Sequence, residues 1–202
     1  MTKATLKEHR HAREPHNWYV EPFWVSRRLF EVERFEGAVV DPCAGWGRVL
    51  DGAQGAGLRT WGYDIVDRDA QQRVTIADFF VPLVYHPWPV DNIVSNPPYG
   101  TGADGERLEE QFLRLALNRA TTKVAVFLPS SWSNAEKRAR WLHTLPWLAK
   151  LECAPRPSCP PGHELARDED GSGGGIDYAW YIFLRGYDGP VRLGTLFREG
   201  VA

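Results

Sequence analysis

The segment Asn96-Pro97-Pro98-Tyr99 combines residue types that could bind a planar group carrying an NH2. It directly follows an apolar stretch that predicts a strand over 92–95. The two prolines remove two backbone N–H donors and stiffen the chain, so carbonyls and the Asn96 side chain can act together as acceptors. The Tyr99 ring offers a surface on which a planar group could stack. The segment therefore indicates a site for a planar amine.

A second segment, Asp41-Pro42-Cys43-Ala44-Gly45-Trp46-Gly47, follows a strand predicted over 38–41 and precedes a helix predicted over 47–56. Glycines at its third-last and last positions permit a tight strand-to-helix turn and a close approach of a ligand to the backbone. Backbone N–H groups near the amino terminus of a helix could bind that ligand's carboxylate or hydroxyls. On its own, a plain turn with two glycines accounts for the segment equally well.

Acidic residues also end the next two predicted strands. Asp64 ends a strand predicted over 60–64, where its carboxylate could accept hydrogen bonds from both hydroxyls of a ribose. Asp78 and Phe79 end a strand predicted over 73–78, where a carboxylate could accept from an adenine amine while a ring covers the base. Either carboxylate alone is more often a loop residue or a helix cap. Three acidic strand ends in succession favour a nucleoside site.

The turn pattern argues against a nucleotide with phosphates. The dinucleotide fingerprint expects a third glycine where this chain has Leu50. No glycine-rich run ends in Gly-Lys-Ser or Gly-Lys-Thr, which disfavours a phosphate-gripping nucleotide hydrolase. The predicted ligand is therefore a nucleoside without phosphates.

Strands and helices alternate along the chain, which predicts a mostly parallel sheet with helices on both faces. The predicted strands, seven in all, span 38–41, 60–64, 73–78, 92–95, 123–128, 148–153 and 178–184. The predicted helices span 22–30, 47–56, 106–120 and 134–145. Between Asp64 and Arg73 there is little room for the helix that usually connects such strands.

Composition predicts one domain over 18–202, after a flexible polar arm at 1–17, without a separate target-recognition domain. The chain has 202 residues and 43% hydrophobic content, enough for one full core. It lacks an apolar run of about 18 residues, begins with polar residues and has three cysteines. We therefore expect a soluble cytoplasmic protein that does not associate with membranes.

The net charge of −2 means that an enzyme acting on nucleic acid must concentrate its basic groups locally. Basic residues occur in the arm at 1–17 and again over 137–140. Ordinary solvated charge is the default interpretation of both groups.

Taken together, these segments resemble the amino-methyltransferase family that acts on adenine N6 and cytosine N4. The resemblance covers nearly the whole chain. The segment at 41–47 is similar to the family's cofactor-binding motif, and Asn96-Pro97-Pro98-Tyr99 to its catalytic motif. Trp24 and its neighbours resemble the segment that often precedes the cofactor loop, and 124–129 and 177–183 resemble later strands. The resemblance implies a Rossmann-like class I methyltransferase fold and S-adenosyl-L-methionine as cofactor.

The resemblance also implies the site residues. The catalytic residues would be Asn96, Pro97, Pro98 and Tyr99. The cofactor-binding residues would be Trp24, Asp41, Pro42, Cys43, Ala44, Gly45, Gly47, Asp64, Asp78, Phe79 and Asn96, with no metal.

In the implied reaction, the Asn96 side-chain oxygen and the Pro97 carbonyl accept the two N–H bonds of the target amine and stabilise its developing positive charge. Within a duplex the base would have to be flipped out, with Tyr99 and, less favourably, Trp132 offering a stacking surface. Asparagine at 96, where cytosine-specific relatives often carry serine, favours adenine.

The expected partner is nucleic acid, DNA in preference to RNA. Because the chain is short, target specificity would come from the loops at 100–105 and 155–175, from the basic arm, or from a protein partner or homodimer. Our hypothesis from the sequence is that the 155–175 loop orders over the target.

Several alternatives remain open at this point. The same motif occurs in enzymes that methylate RNA bases or protein glutamine side chains, and a non-catalytic nucleic-acid-binding subunit could keep the same fold. A dinucleotide-dependent oxidoreductase is disfavoured by the turn pattern. A zinc site at Cys153, Cys159 and His163 is also disfavoured, because the spacing fits no common finger and a fourth ligand is missing.

Overall fold

The fold is built on one sheet of eight strands, in the order β3-β2-β1-β4-β5-β7-β6-β8. A computed structural model describes residues 18–68, 73–81, 89–171 and 173–199, so the predicted arm at 1–17 lies outside the described residues. The strands are β1 Val39–Asp41, β2 Thr60–Asp64, β3 Val74–Ile76, β4 Val90–Ser95, β5 Ala120–Pro129, β6 Trp147–Ala154, β7 Tyr178–Leu184 and β8 Arg192–Phe197. The helices are α1 Phe23–Val32, α2 Arg48–Gly55, α3 Leu108–Arg119 and α4 Glu136–Leu142.

The first five strands pair in parallel, with β1 between β2 and β4. Val39 of β1 is in register with Thr60 of β2 on one side and with Asn92 of β4 on the other. β7 runs antiparallel to both of its neighbours, β5 and β6, and β8 is parallel to β6. The carboxyl ends of β1, β2 and β4 therefore lie side by side at one edge of the sheet.

Helices cover both faces of the sheet, as the sequence predicted. Val124, Val126 and Leu128 of β5 pack with α3 and α4, whereas Ala125 and Phe127 pack with α1 and α2. This alternation follows from the two-residue period of a strand. Because both faces are buried, the central strands are apolar on both sides.

The prediction of seven strands was wrong. The eighth strand, β8, lies at the edge of the sheet, and only Leu196 among its residues is buried. An edge strand with one buried side chain shows little of the apolar alternation by which strands are recognised in a sequence.

Helix boundaries differ from the predictions where local backbone geometry ends an element early. The last predicted residue of the 106–120 helix, Ala120, has extended backbone and begins β5 directly. The helix predicted over 134–145 is restricted to α4, because Ser130–Asn134 forms a 3-10 helix before it.

Residues 65–68 contain no helix, and the rest of the connection up to 72 lies outside the described residues. Within the described part of the chain, no helix is long and apolar enough to cross a membrane.

Candidate active site

A cavity of about 240 Å³ lies at the carboxyl ends of β1, β2 and β4. Parallel sheets of this kind bind ligands at this edge, because the strand order reverses there. Most of the predicted site residues line the cavity: Asp41, Pro42, Cys43, Ala44, Gly45, Asp64, Asp78, Phe79, Asn96 and Pro98. The structure thus brings together two motifs that are separated by about fifty positions in the chain.

The turn after β1 is held by hydrogen bonds to the end of β2. Gly45 and Gly47 have positive φ angles of 52° and 83°, which residues with side chains rarely adopt. The Gly45 N–H donates to Asp64 Oδ2 at 2.9 Å, and the Ala44 N–H donates to the Tyr63 carbonyl at 2.8 Å. Asp64 therefore ties the turn to the end of β2.

Asp41 lies at the floor of the cavity and is 1% exposed. Its Oδ1 accepts hydrogen bonds from Ser95 Oγ at 2.7 Å and from the Cys43 N–H at 3.0 Å. Burial raises the pKa of this carboxyl well above its usual value, although these two bonds oppose the shift. A cationic ligand in the cavity would favour the ionised carboxylate and reverse the penalty of burial.

Glu21, which the sequence analysis missed, contributes a further carboxyl to the cavity. It is 6% exposed, and burial raises its pKa, while a hydrogen bond from Asn96 acts in the opposite direction. With Asp64 and Asp78 also in the lining, the cavity is rich in carboxyl groups. Among the residues that the structure describes, the basic side chains of the lining are Arg48 and Arg68. This balance suits a ligand that carries positive charge.

Asn96 follows β4 directly, and its side chain is fixed by the segment that precedes α1. Its Nδ2 donates to the Tyr19 carbonyl at 3.0 Å and to Glu21 Oε2 at 2.9 Å. Both amide protons are thereby used inside the protein, and Oδ1 is the atom of the amide that remains for a ligand.

Tyr99 does not belong to the cavity lining, and it packs against the core cluster on the face of the sheet that α3 and α4 cover. Its ring stacks on Tyr19, with 5.9 Å between ring centroids and 20° between planes, and its hydroxyl is 3.5 Å from that of Tyr178. Burial raises the pKa of the Tyr99 hydroxyl, so this group stays protonated at neutral pH. Gly47 and Pro97 also lie outside the lining, each next to a residue that belongs to it.

The structure does not bring Trp24 to the cavity. The Trp24 ring is 6% exposed and belongs to the core between α1 and the sheet. Trp18 lines the cavity instead. Its Nε1 is buried and has no hydrogen-bond partner among the described residues, so a ligand oxygen there would satisfy it.

Trp132 is also a core residue in this structure. It is 6% exposed, its Nε1 donates to Glu109 Oε1 at 3.2 Å, and its ring packs edge-on against Tyr181. With its N–H satisfied and both neighbours buried, the side chain serves packing in the middle of the 3-10 helix Ser130–Asn134.

The described part of the long loop over 155–175, which was predicted to order over a target, lies against the segment 18–23 and the start of α2. The Val20 N–H donates to the Pro160 carbonyl at 3.0 Å, and the Gly162 N–H donates to the Trp18 carbonyl at 3.1 Å. Gly162 lies so close under the Trp18 ring that an added Cβ would collide with it. The loop therefore holds the wall of the cavity that Trp18 and Glu21 form. That the loop orders over a target stays a prediction.

Arg48, the first residue of α2, connects this loop to the turn after β1. Its guanidinium is 2% exposed and lies 3.9 Å from the centroid of the Phe23 ring. It donates to the Glu21 carbonyl at 2.7 Å, to the Arg167 carbonyl at 3.2 Å and also to the Glu169 carbonyl. One buried side chain thus joins α2, the segment before α1 and the loop.

Replacing Arg48 with alanine is expected to lower the free energy of unfolding by about 3 kcal/mol, because one buried and two partly buried carbonyls lose their donor at once. The loop over 155–171 should become sensitive to limited proteolysis. Denaturant titration and proteolysis of the full chain measure both effects. Arg27→Ala is the matched control, since Arg27 is 63% exposed and its removal should cost less than about 0.5 kcal/mol. An Arg48→Ala protein as stable as the control would contradict this account of the network.

Comparisons with known proteins identify the fold. No protein-family model and no curated protein matches the sequence. A Listeria monocytogenes protein assigned to the class I S-adenosylmethionine-dependent methyltransferases superposes with a TM-score of 0.59 at 14% identity, over 86% of this chain and 63% of that one. This chain has the class I methyltransferase fold.

Two further structures share this methyltransferase fold. The M protein of the type I restriction enzyme EcoKI has a TM-score of 0.55 at 13% identity, over 82% of this chain and 43% of the M protein. A Pyrococcus horikoshii protein assigned to the RNA methyltransferases has a TM-score of 0.52 at 18% identity, over 80% of both chains. The chain thus spans less than two thirds of the Listeria and EcoKI proteins.

Proposed function

We propose that this chain is an S-adenosylmethionine-dependent methyltransferase that methylates an exocyclic amine, with adenine N6 in DNA as its substrate. The observation that carries the proposal is the position of Asn96. This residue lines the same cavity as the glycine turn and Asp64, and its Nδ2 is bonded within the protein, which leaves Oδ1 as the acceptor. The acceptor that we propose for the target amine, Asn96, and the nucleoside site that we propose, the glycine turn with Asp64, thus share one cavity.

The residues of the cavity fit the proposed cofactor. S-adenosylmethionine would supply an electrophilic methyl group on a positively charged sulfonium. The buried carboxyls of Glu21 and Asp41 favour positive charge in the cavity. Trp18 Nε1, which has no hydrogen-bond partner in the described part of the chain, could donate to an oxygen of the ligand. Asp64 could accept from ribose hydroxyls while it keeps its bond to Gly45, since a carboxylate has about four acceptor positions.

Asn96 Oδ1 and the Pro97 carbonyl would accept the two N–H bonds of the target amine. An adenine amine is a poor nucleophile because its lone pair is delocalised into the ring. Fixed acceptors stabilise the positive charge that develops on nitrogen during methyl transfer, and they do so without rearranging. Holding the amine in one orientation contributes most of the remaining acceleration.

The substrate assignment rests on the resemblance of the tetrapeptide to amino-methyltransferases, in which asparagine at this position favours adenine. The fold similarity to the EcoKI M protein supports DNA, and the similarity to the Pyrococcus protein supports RNA as the alternative. The partner that we propose besides nucleic acid is a second protein or a second copy of the chain, which would contribute to target recognition.

The test is transfer of tritiated methyl from S-adenosylmethionine to unmethylated DNA, total RNA and a protein extract. The purified full chain is used, and each labelled product is hydrolysed and identified. Label in N6-methyladenine from DNA supports the proposal. Label in RNA or in glutamine keeps the reaction and replaces the substrate. Cofactor binding without label in any pool would overturn the catalytic proposal and favour a non-catalytic subunit.

A further inference from the structure

Glu21 and Asn96 are 75 positions apart in the chain but make a direct hydrogen bond of 2.9 Å within the cavity. The carboxylate of Glu21 and the carbonyl of Tyr19 both face the Asn96 side chain. Two acceptors on this side admit only the NH2 end of the amide, since its oxygen would be repelled by both. The orientation of Asn96 is therefore decided by this pair.

The hydrogen bond between Glu21 and Asn96 Nδ2 also affects how strongly Asn96 Oδ1 can accept a hydrogen bond. A carboxylate that accepts from Nδ2 polarises the amide and makes its oxygen a stronger acceptor, because linked hydrogen bonds reinforce one another. The oxygen of Asn96 is the atom expected to bind the target amine.

The backbone around Glu21 is held independently of Asn96. The Glu21 carbonyl accepts from Arg48 Nη1 at 2.7 Å, and the preceding Val20 N–H donates to the Pro160 carbonyl at 3.0 Å. The Glu21 side chain is thus carried on a segment with its own anchors. This is the arrangement of a residue that orients a neighbour, since a mobile carboxylate could not define the amide's orientation.

We propose that Glu21 is a positioning residue that turns Asn96 so that Oδ1 faces the substrate amine. The inference rests on the proposed function for its catalytic consequence, whereas the orientation of Asn96 itself can be tested without any reaction.

The first test observes the Asn96 side chain in the full-length protein by amide NMR. The two NH2 signals are assigned by their absence in Asn96→Ala. In the wild type we expect both NH2 protons of Asn96 to show the chemical shifts and the slow exchange with solvent that are typical of hydrogen-bonded protons. In Glu21→Ala the proton that faces residue 21 should lose both, whereas Glu21→Gln should retain them because glutamine keeps an acceptor oxygen. Unchanged Asn96 signals in Glu21→Ala would overturn the proposal, whatever the protein methylates.

The second test compares rate constants on the substrate that the transfer assay identifies. Glu21→Ala should lower kcat by about 100-fold, the scale of a misplaced catalytic group. Glu21→Gln should recover most of that loss, while Glu31→Gln, at an exposed position of α1, should leave kcat unchanged. The affinity for S-adenosylmethionine is measured for each variant by calorimetry, which also shows that the variants are folded.

Three results would contradict the positioning role. One is a kcat for Glu21→Ala within twofold of the wild type. Another is an equal loss of kcat in the alanine and glutamine variants, which would assign the effect to charge instead of orientation. The third is a loss confined to cofactor affinity, which would make Glu21 a binding residue. Failure of the proposed function has a separate signature, because the wild type itself would then transfer no methyl group.

Discussion

Replacing Asn96 with alanine is expected to lower kcat for methyl transfer by about 100- to 1,000-fold while the cofactor still binds. Oδ1 is the one atom of Asn96 that is left for a substrate, because both Nδ2 protons are used by Tyr19 and Glu21. Its removal takes away an acceptor that acts most strongly when the amine becomes positive. Single-turnover rates and the Kd for S-adenosylmethionine, measured on the same preparation, separate the two effects.

Asn96→Asp provides a sharper comparison than alanine alone. It keeps an acceptor oxygen but places a carboxyl group against the carboxyl of Glu21, where the wild type has a hydrogen bond of 2.9 Å. Two carboxylates at this distance repel, so we expect this variant to lose activity as well. Asn134→Ala, at an exposed position, is the control and should behave like the wild type. Full activity in Asn96→Ala would show that the amine is bound elsewhere.

Replacing Asp41 with asparagine is expected to stabilise the protein and to weaken cofactor binding by about 10-fold or more. Burial raises the pKa of Asp41 well above its usual value, so the ionised carboxylate is a cost to the folded state. Asparagine can keep the hydrogen bonds from Ser95 and Cys43 through its oxygen without carrying the charge. The two bonds preserve the turn, while the attraction for a cationic ligand is lost.

The pH dependence has a definite sign. In the unfolded chain an aspartate has a pKa of about 3.9. The folded protein holds the Asp41 proton more tightly, so wild-type stability falls as the pH rises from the unfolded pKa through the raised pKa of the folded state. Asp41→Asn has no carboxyl group at this position and does not lose stability in this way. The difference in Tm between this variant and the wild type should therefore grow over the same pH interval, by about 2–4 °C for each kcal/mol of difference in the free energy of unfolding.

Thermal melts of both proteins across this pH range, with and without S-adenosylmethionine, measure the prediction. Bound cofactor should raise the Tm of the wild type more than that of the variant, because stabilisation by a ligand follows its affinity. Asp188→Asn, at an exposed carboxylate remote from the cavity, is the matched control. A variant that is less stable than the wild type at neutral pH would contradict the assignment of Asp41 as a buried charge that a ligand relieves.

The sequence predicted the parts of the site that lie within single motifs. The turn over 41–47 and the segment Asn96–Tyr99 each follow a buried strand, and adjacent parallel strands must end at the same edge of a sheet. The polar residues of both motifs therefore met as expected. That helices cover both faces of the sheet was also predictable, because the spacing of apolar residues that indicates a strand or a helix lies within each element.

The residues that the sequence did not reveal act across long separations. Glu21 belongs to no recognisable motif, and its role follows from a contact with a residue 75 positions away. Trp24 was assigned to the cofactor because of its neighbourhood in the sequence, but the buried face of α1 places it in the core. Trp18, six positions earlier, lines the cavity in its stead. Which aromatic residue faces a ligand depends on how the segment packs, and no pattern within the segment encodes this.

The short segment from Trp18 to Glu21 serves both halves of the cavity. The Trp18 ring lies beside the glycine turn, 5.5 Å from that of Trp46, while Tyr19 stacks on Tyr99 next to the proposed amine site. A ligand that shifts the backbone of this segment therefore moves both rings. Linkage then requires reciprocity: any factor by which the first ligand changes the affinity for the second applies equally in the opposite direction. We therefore expect the affinities for cofactor and target to be coupled through these four consecutive residues.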